Sequence, residues 1–226
     1  VDIMEDWHLL VQEDYYDDRE DTGLDVGSID NERCIELALS KRWLANSTEP
    51  DKVFEIGAVM PYYWECKHEI VDPYDELATI KDFVENIDLS GKEVITISTI
   101  EHIGLDEYAD DKSSGGANVP EILEENGAVK ALQQILNQSS RCFITFPAGY
   151  NMALDKWVVK NLHRLNCFGY EKTQRNDLTQ WPPVYSPRWD YNEVVEHLDY
   201  DYNFKNNLLL ARGQRWATFI ICIEGW

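Results

Sequence analysis

Four short apolar runs, separated by longer polar or amphipathic segments, constrain the fold of this chain most strongly. Each run is rich in β-branched and aromatic residues and is bounded by turn-forming residues, a pattern typical of buried strands. The runs are VFEIGAV (53–59), HEIVDPYD (68–75), EVITIST (93–99) and RCFITFPAG (141–149). Strands that alternate with helices in this way predict an α/β fold whose parallel sheet is covered on both faces.

Three segments have the apolar spacing of amphipathic helices. The first covers 29–45 and the last covers 151–165. The middle one covers 119–138, where Pro120 opens the helix and Gly127 is a point at which it could be interrupted. Together with the four apolar runs, these helices predict the flanking layers of the sheet.

The C-terminal part of the chain follows a different pattern. CFGYEKTQ (167–174) and RWATFIICIE (215–224) are predicted strands, separated by a Pro- and Trp-rich stretch and a short helix near 191–198. No long helix separates these two strands. They are therefore predicted to form an antiparallel pair at the end of the sheet.

Residues 30–226 are predicted to form one domain, preceded by an acidic extension at 1–29. Between Asp2 and Asp25 there are ten Asp or Glu residues against the single Arg19, interleaved with aromatics. Such an arm is typically solvated, although its aromatics also allow a docked segment. The chain begins with Val1, which suggests an excised or processed part of a larger protein.

The net charge of −22 restricts the partners that this chain can bind. Binding to a phosphate backbone needs Lys and Arg to replace counterions, so we expect no nucleic-acid partner. Docking to anionic lipid is disfavoured for the same reason. No apolar run approaches the roughly 18 residues of a membrane span, and no signal peptide is visible. We therefore expect no membrane insertion and a cytoplasmic location.

Five cysteines, an odd number without a CxxC pair, lie mostly in apolar contexts. This pattern favours buried, reduced thiols over a disulfide framework or a zinc site.

Polar groups collect where the predicted strands end, and ligands of open parallel sheets bind beyond those ends. Neither a GxGxxG fingerprint nor a Walker A motif is present, so a pyrophosphate cradle is not supported. What remains is a strand with Glu55 and Gly57, followed by Asp72 at the end of the next strand. An acid at that position accepts the hydroxyl protons of a ribose. The sequence therefore predicts a site for a nucleoside that carries no phosphates.

Taken in order, these segments resemble class I S-adenosylmethionine-dependent methyltransferases. VFEIGAV is similar to the first motif of that family, IVDPYD to its ribose-binding acid and ENID to its adenine-binding turn. ITISTIEHIG resembles the fourth-strand motif, and FITFPAGYN resembles the fifth strand with its loop. The resemblance implies a Rossmann-like, mostly parallel seven-stranded sheet with an antiparallel last strand and helices on both faces.

The same series is especially similar to methyltransferases encoded beside glycosyltransferases in polysaccharide clusters, and to methyltransferase domains within viral glycan-building proteins. Those enzymes methylate sugar hydroxyls. The resemblance implies a glycan substrate with a rhamnose-type deoxysugar, S-adenosyl-L-methionine as cofactor and S-adenosyl-L-homocysteine as product. It also implies one domain of a larger multidomain chain, located in the host cytoplasm if the protein is viral.

The resemblance assigns cofactor-binding roles residue by residue. Glu55 would hydrogen-bond within the glycine turn or meet the ammonium group of the cofactor. Gly57 would let the backbone approach it, and the neighbouring Ala58 is also implied to bind the cofactor. Asp72 would accept the ribose hydroxyls. The remaining implied cofactor residues are Asn86 and Ile87 for the adenine, Ser98 and Thr99 for the methionine portion, and Glu101.

Methyl transfer to a hydroxyl needs a base, and histidine titrates near neutral pH. His102 is therefore the predicted base, with Glu101 and Asp106 orienting it or binding sugar hydroxyls, and His197 is a secondary candidate. His68 and the remaining histidines are expected on surfaces or in packing. The predicted sugar-binding residues, which could equally be core packing, are Tyr150, Asn151, Arg175 and Trp181. We expect no required metal, because acidic loops in such an acidic chain are usually solvated.

The chain departs from the family pattern after its first strand. Only one glycine is present there, and the fifteen positions from Gly57 to Asp72 (72 − 57) are few for a glycine loop and a full helix. An irregular MPYYWECK segment is therefore predicted.

Two alternatives stay open at this point: methylation of a nitrogen in a small molecule or protein, and a non-catalytic binding module with the same fold.

Overall fold

The structure, a computed structural model, describes residues 33–47, 49–106, 121–122, 124, 126–171 and 219–225. The acidic extension at 1–29, the loop at 110–120 and the predicted helix near 191–198 lie outside the described residues. Arg175, Trp181 and His197 also lie outside them.

Eight strands and three α-helices are found in the described part of the chain. The strands are β1 (Val53–Ile56), β2 (Glu69–Val71), β3 (Glu93–Ile97), β4 (Leu105–Asp106), β5 (Glu121–Ile122), β6 (Arg141–Pro147), β7 (Asn166–Glu171) and β8 (Phe219–Gly225). The helices are α1 (Arg33–Ala45), α2 (Gly127–Gln138) and α3 (Met152–Asn161). Five short 3-10 turns accompany them, at Pro50–Lys52, Met60–Tyr62, Val84–Asn86, Ile100–His102 and Leu162–Arg164.

Six of the strands form one mixed sheet in the order β2-β1-β3-β6-β8-β7. The first four run parallel, and β8 is antiparallel to both of its neighbours. The predicted α/β class is therefore confirmed. In the described part of the chain the sheet has six strands instead of the expected seven, and its strand count and order differ from that expectation. The predicted antiparallel pair at the end of the sheet is confirmed, since β7 and β8 pair antiparallel.

The edge beyond β2 explains the lower strand count. There the chain forms only one isolated parallel bridge, between Val71 and Ile80. The N–H of Asp72 still donates to the carbonyl of Ile80 at 3.1 Å. Its Oδ1 accepts backbone hydrogen bonds from Tyr74 (2.8 Å) and Asp75 (2.9 Å), which bend the chain into a turn directly after β2.

Helices cover both faces of the sheet, as the alternating pattern predicted. On one face, Trp43 of α1 stacks on Phe143 with ring centroids 6.2 Å apart. On the other face, α2 and α3 contribute Leu132 and Val158 to a buried cluster that includes Ile144 of β6. The strands are apolar on both sides for this reason.

The predicted helix over 119–138 was wrong at Glu121–Ile122, which form a strand. α2 begins only at Gly127, and Glu121–Ile122 pairs with Leu105–Asp106 as a small antiparallel ladder. Gly104 and Gly127 pack backbone against backbone, because a Cβ on Gly127 would lie 3.0 Å from Gly104 Cα. This close approach fixes the helix start at the glycine rather than at Pro120.

None of the described helices is long and apolar enough to cross a bilayer. The cysteines at 66, 142, 167 and 222 are free thiols, and all but Cys66 are buried. The prediction of buried thiols is confirmed for Cys142, Cys167 and Cys222, whereas Cys66 is only partly buried.

Candidate functional site

A cavity of about 480 Å³ opens at the C-terminal ends of β1, β2 and β3. The chain leaves β1 for β2 on one side and then crosses to β3 on the other side of β1. This reversal of strand order is where open α/β sheets bind ligands. The lining residues are Ile56, Gly57, Val71, Asp72, Pro73, Tyr74, Asp82, Phe83, Val84, Glu85, Asn86, Thr99, His102, Ile103, Gly104, Leu105 and Glu124.

Gly57 forms the turn that follows β1 and closes the inner wall of this cavity. Its φ is +87°, a conformation that favours glycine. Its N–H donates to the carbonyl of Val71 at 2.9 Å, which holds the turn against β2. A Cβ at Gly57 would overlap the side chain of Thr99, so the two neighbouring strand ends approach each other at van der Waals distance only because position 57 is glycine.

Glu55 is fully buried and supports the turn from behind. Its Oε1 accepts hydrogen bonds from the N–H groups of Val59 (3.0 Å) and Met60 (2.7 Å). Its Oε2 lies 2.7 Å from Nε2 of His68. The expectation of a hydrogen bond within the glycine turn is confirmed, whereas Glu55 does not line the cavity. His68 was expected on a surface or in packing, but it is the hydrogen-bonding partner of the Glu55 carboxylate. A buried carboxylate needs such a partner, and this requirement was the sequence feature that could have identified His68.

Asp72 faces the cavity from the end of β2. Its Oδ2 accepts from the N–H of Ala58 at 3.3 Å, which places the carboxylate beside the glycine turn. The adjoining Asp75 is bound by the hydroxyl of Tyr62 at 2.7 Å. That hydrogen bond is the main cause that raises the pKa of Tyr62 to about 12, and partial burial and the charges of nearby carboxylates raise it further. The irregular segment predicted after β1 is confirmed as a 3-10 turn, and Tyr62 ties it to the Asp72 turn.

The charge of the cavity is one-sided. Four carboxylates line it, from Asp72, Asp82, Glu85 and Glu124, and neither Lys nor Arg is among its described lining residues. Of the four, Glu124 is paired with Lys130, which does not line the cavity. Such a lining repels a phosphate group and attracts a cation. The predicted absence of a pyrophosphate site is consistent with this distribution.

The ENID turn forms the far wall of the cavity. Asn86 lines it and donates from Nδ2 to Asp82 Oδ1 at 2.7 Å. Ile87 does not line it. Its carbonyl and that of Val84 instead accept from Nε2 of Gln134, both at 2.9 Å, and this anchors the turn to α2.

The residues that follow β3 point in different directions. Thr99 lines the cavity. Ser98 turns to the opposite side, where its Oγ donates to Oε1 of the buried Glu36 at 2.7 Å. Its φ of +37° is uncommon for a residue other than glycine. The structure thus places Thr99, but not Ser98, where a methionine portion could contact it.

His102 lies on the rim of the cavity and is partly exposed. Its ring centroid is 4.7 Å from that of Tyr150, and its Nε2 is 3.6 Å from Oε1 of the buried Glu101. Asn151 lies behind these groups. Its Nδ2 donates to the Glu101 carbonyl at 2.9 Å, and its Oδ1 caps α3 by accepting from the N–H of Leu154 at 3.1 Å.

The predicted site residues therefore fall into three groups. Gly57, Asp72, Asn86, Thr99 and His102 share the cavity, and Ala58 and Tyr150 lie beside it. Glu55, Ile87, Ser98, Glu101 and Asn151 support its walls through hydrogen bonds or packing. Asp106 lies in β4, whereas Arg175 and Trp181 are outside the described residues.

No protein-family model, curated protein or solved structure matches this chain. The function is therefore argued from the geometry and chemistry of the cavity.

Proposed function

We propose that this chain binds S-adenosyl-L-methionine in the cavity and transfers its methyl group to a sugar hydroxyl of a glycan. The observation that carries the proposal is the cavity itself. It lies where strand order reverses, beside a single-glycine turn and Asp72, and its charged lining residues are carboxylates. A nucleoside cofactor with a ribose, an ammonium group and a sulfonium, but no phosphate, fits that donor set.

The proposal includes a Rossmann-like fold of the class I methyltransferase type. The parallel order β2-β1-β3-β6, followed by the antiparallel β8 beside β7, is compatible with that fold. In this interpretation the Val71–Ile80 bridge is what remains of an edge strand next to β2. The glycine turn and the Asp72 turn then lie on adjacent strands, which is the arrangement that a ribose-binding acid requires.

The residues of the cavity would hold the cofactor by complementary polarity. Asp72 is fixed by backbone N–H groups and would accept the ribose hydroxyls with its remaining lone pairs. Asp82 and Glu85 supply negative potential for the cationic groups, whereas Glu124 is paired with Lys130. Asn86 and the turn around it would contact the base. When bound, the cofactor supplies an electrophilic methyl group on a sulfonium.

His102 is assigned as the general base. Its imidazole would take the proton of the sugar hydroxyl as that oxygen bonds to the methyl carbon, with the cofactor's sulfur as the leaving group. Glu101 lies 3.6 Å from Nε2 and would stabilise the imidazolium. Tyr150, 37% exposed and packed against the ring, offers a face on which a sugar could stack.

A methyl-transfer assay with isotope-labelled cofactor against deoxysugar and hexose glycosides tests this function. We expect transfer to a hydroxyl in the wild type, with the methylated position located by product analysis. His102→Ala should lower kcat by about 100-fold or more, the usual contribution of a positioned base. His163→Ala, at an exposed histidine far along the chain from the site, is the matched control and should keep its rate.

The two alternatives predict different results in the same assay. A nitrogen nucleophile has less need of a base, so an N-methyltransferase would keep most of its rate in His102→Ala and would label amines instead of glycosides. A binding module would bind the cofactor or a glycan without any transfer. Either result would contradict the proposed O-methylation.

A further inference from the structure

Behind the glycine turn, three side chains with metal-binding atoms converge on the face of the sheet that α1 covers. They belong to Glu55 on β1 and to Cys66 and His68 at the end of the loop that leads to β2. Their ligand atoms all lie within 4.8 Å of one another. The side chain of Glu55 is fully buried and that of His68 is 7% exposed. None of the three lines the cofactor cavity.

We propose that Glu55, Cys66 and His68 bind a structural zinc ion that fixes the loop between β1 and β2. The set combines a carboxylate oxygen, a thiolate and an imidazole nitrogen. Zinc accepts this mixture in tetrahedral sites, whereas magnesium and calcium prefer oxygen ligands throughout. A thiolate and a carboxylate together also balance the two positive charges of the ion.

Space for a fourth ligand lies beside the cluster. A separate cavity of about 170 Å³ is lined by Cys66 and His68, together with Trp64 and Val53. That volume is large enough for a water molecule, which would complete the coordination of a site with three protein ligands. The rest of the lining comprises Leu44, Ser47, Pro50, Glu65 and Lys67.

The loop gives such an ion a structural task. Between β1 and β2 the chain forms only the 3-10 turn at Met60–Tyr62, without the helix that normally packs a crossover onto a parallel sheet. Glu55 links the two ends of this loop. Its Oε1 holds the N–H groups of Val59 and Met60, and its Oε2 faces His68. An ion on Oε2 would therefore stiffen the glycine turn through the same carboxylate.

The metal content of the purified chain tests the proposal without any assay of methyl transfer, so it is independent of the proposed function. After expression with zinc and dialysis, elemental analysis should find about one zinc ion per chain, as for structural zinc sites. Chelation should lower Tm by roughly 5 °C or more, because an ion that binds only the folded state stabilises it. Cobalt in place of zinc should give a thiolate charge-transfer band.

Three variants separate a metal site from an ordinary hydrogen-bonded pair. His68→Gln keeps a donor for Glu55 but removes the imidazole ligand, and it should lose the metal. Cys66→Ala should lose the cobalt–thiolate band, whereas Cys167→Ala, at a buried thiol on β7, should keep it. The proposal would be overturned if the wild type contained less than about 0.1 metal ion per chain and its Tm did not change with added zinc or chelator. A thiolate band that survives Cys66→Ala would also overturn it.

Discussion

The substitution Gly57→Ala tests the geometry of the glycine turn in the most detail. At Gly57 an alanine Cβ would overlap Oγ1 and Cγ2 of Thr99 and would lie 2.7 Å from Thr99 Cβ. The positive φ of +87° adds a backbone cost of about 1–2 kcal/mol for a residue with a side chain. Forcing the overlap apart adds about 1–3 kcal/mol, as overpacking usually does. We therefore expect a total loss of about 2–5 kcal/mol.

Gly91 provides a matched control for the backbone part of this loss. Its φ is +70°, but a Cβ there would meet nothing within 4 Å. Gly91→Ala should therefore cost only the backbone part, about 1–2 kcal/mol. Urea denaturation measures both losses, and for a chain of 226 residues the Gly57→Ala loss corresponds to a fall in Tm of roughly 5–15 °C.

A double-mutant cycle then isolates the steric part. Thr99→Ala removes two of the three overlapping atoms, so the double variant Gly57→Ala, Thr99→Ala should regain about 1–2 kcal/mol relative to additivity. Equal losses for Gly57→Ala and Gly91→Ala, or strictly additive effects in the cycle, would refute the close approach of the two strand ends.

Three further expectations concern single side chains. Ser98→Ala should lower the free energy of unfolding by about 1.5–3 kcal/mol in urea denaturation, because it removes a buried hydrogen bond to a carboxylate. Ser98→Gly should lower it less, because glycine adopts the positive φ without strain. Equal losses for the two variants would contradict this expectation. The pKa of Tyr62 is raised from 10.0 to about 12 by Asp75, so its contribution to stability is complete below pH 10 and is lost as the pH rises toward 12. Tyr62→Phe should flatten the fall of the urea midpoint in that window, and an unchanged slope would be the contrary result. Burial raises the pKa of the Cys142 thiol to about 11 and that of Cys167 to about 12, so mass spectrometry should find both alkylated at about pH 8 only after unfolding.

The sheet was predictable because its signal is local. Runs such as EVITIST and RCFITFPAG have more apolar residues than a strand with one exposed face, which indicates burial on both faces. They form the parallel centre of the sheet. The start of α2 was not predictable from composition, because Glu121–Ile122 takes the ladder position opposite Leu105–Asp106. The apolar spacing of 119–126 is helical, but tertiary pairing with Leu105–Asp106 overrides it.

The candidate site shows the same limit. Gly57 and Asp72 could be identified from the sequence because each follows directly after an apolar run. A glycine there indicates a turn with positive φ, and an acid there indicates a ligand-binding strand end. The supporting hydrogen bonds have no local sequence pattern. Ser98 donates to Glu36, 62 positions away, and Asn151 donates to the Glu101 carbonyl, 50 positions away. Strand-end polar residues therefore divide between the cavity and its walls according to tertiary packing, which spacing alone does not encode.

Calorimetric titration with S-adenosyl-L-homocysteine tests the central claim most directly. We expect saturable 1:1 binding to the wild type. Asp72→Asn should weaken binding by roughly 10- to 100-fold, the equivalent of losing about 1.5–3 kcal/mol of hydrogen bonding to a charged group. Asp88→Asn, at an exposed carboxylate outside the cavity whose pKa is lowered by hydrogen bonds from Ser90, should bind like the wild type. The absence of any heat of binding to the wild type, or equal weakening by both substitutions, would contradict the proposal that this cavity holds the cofactor.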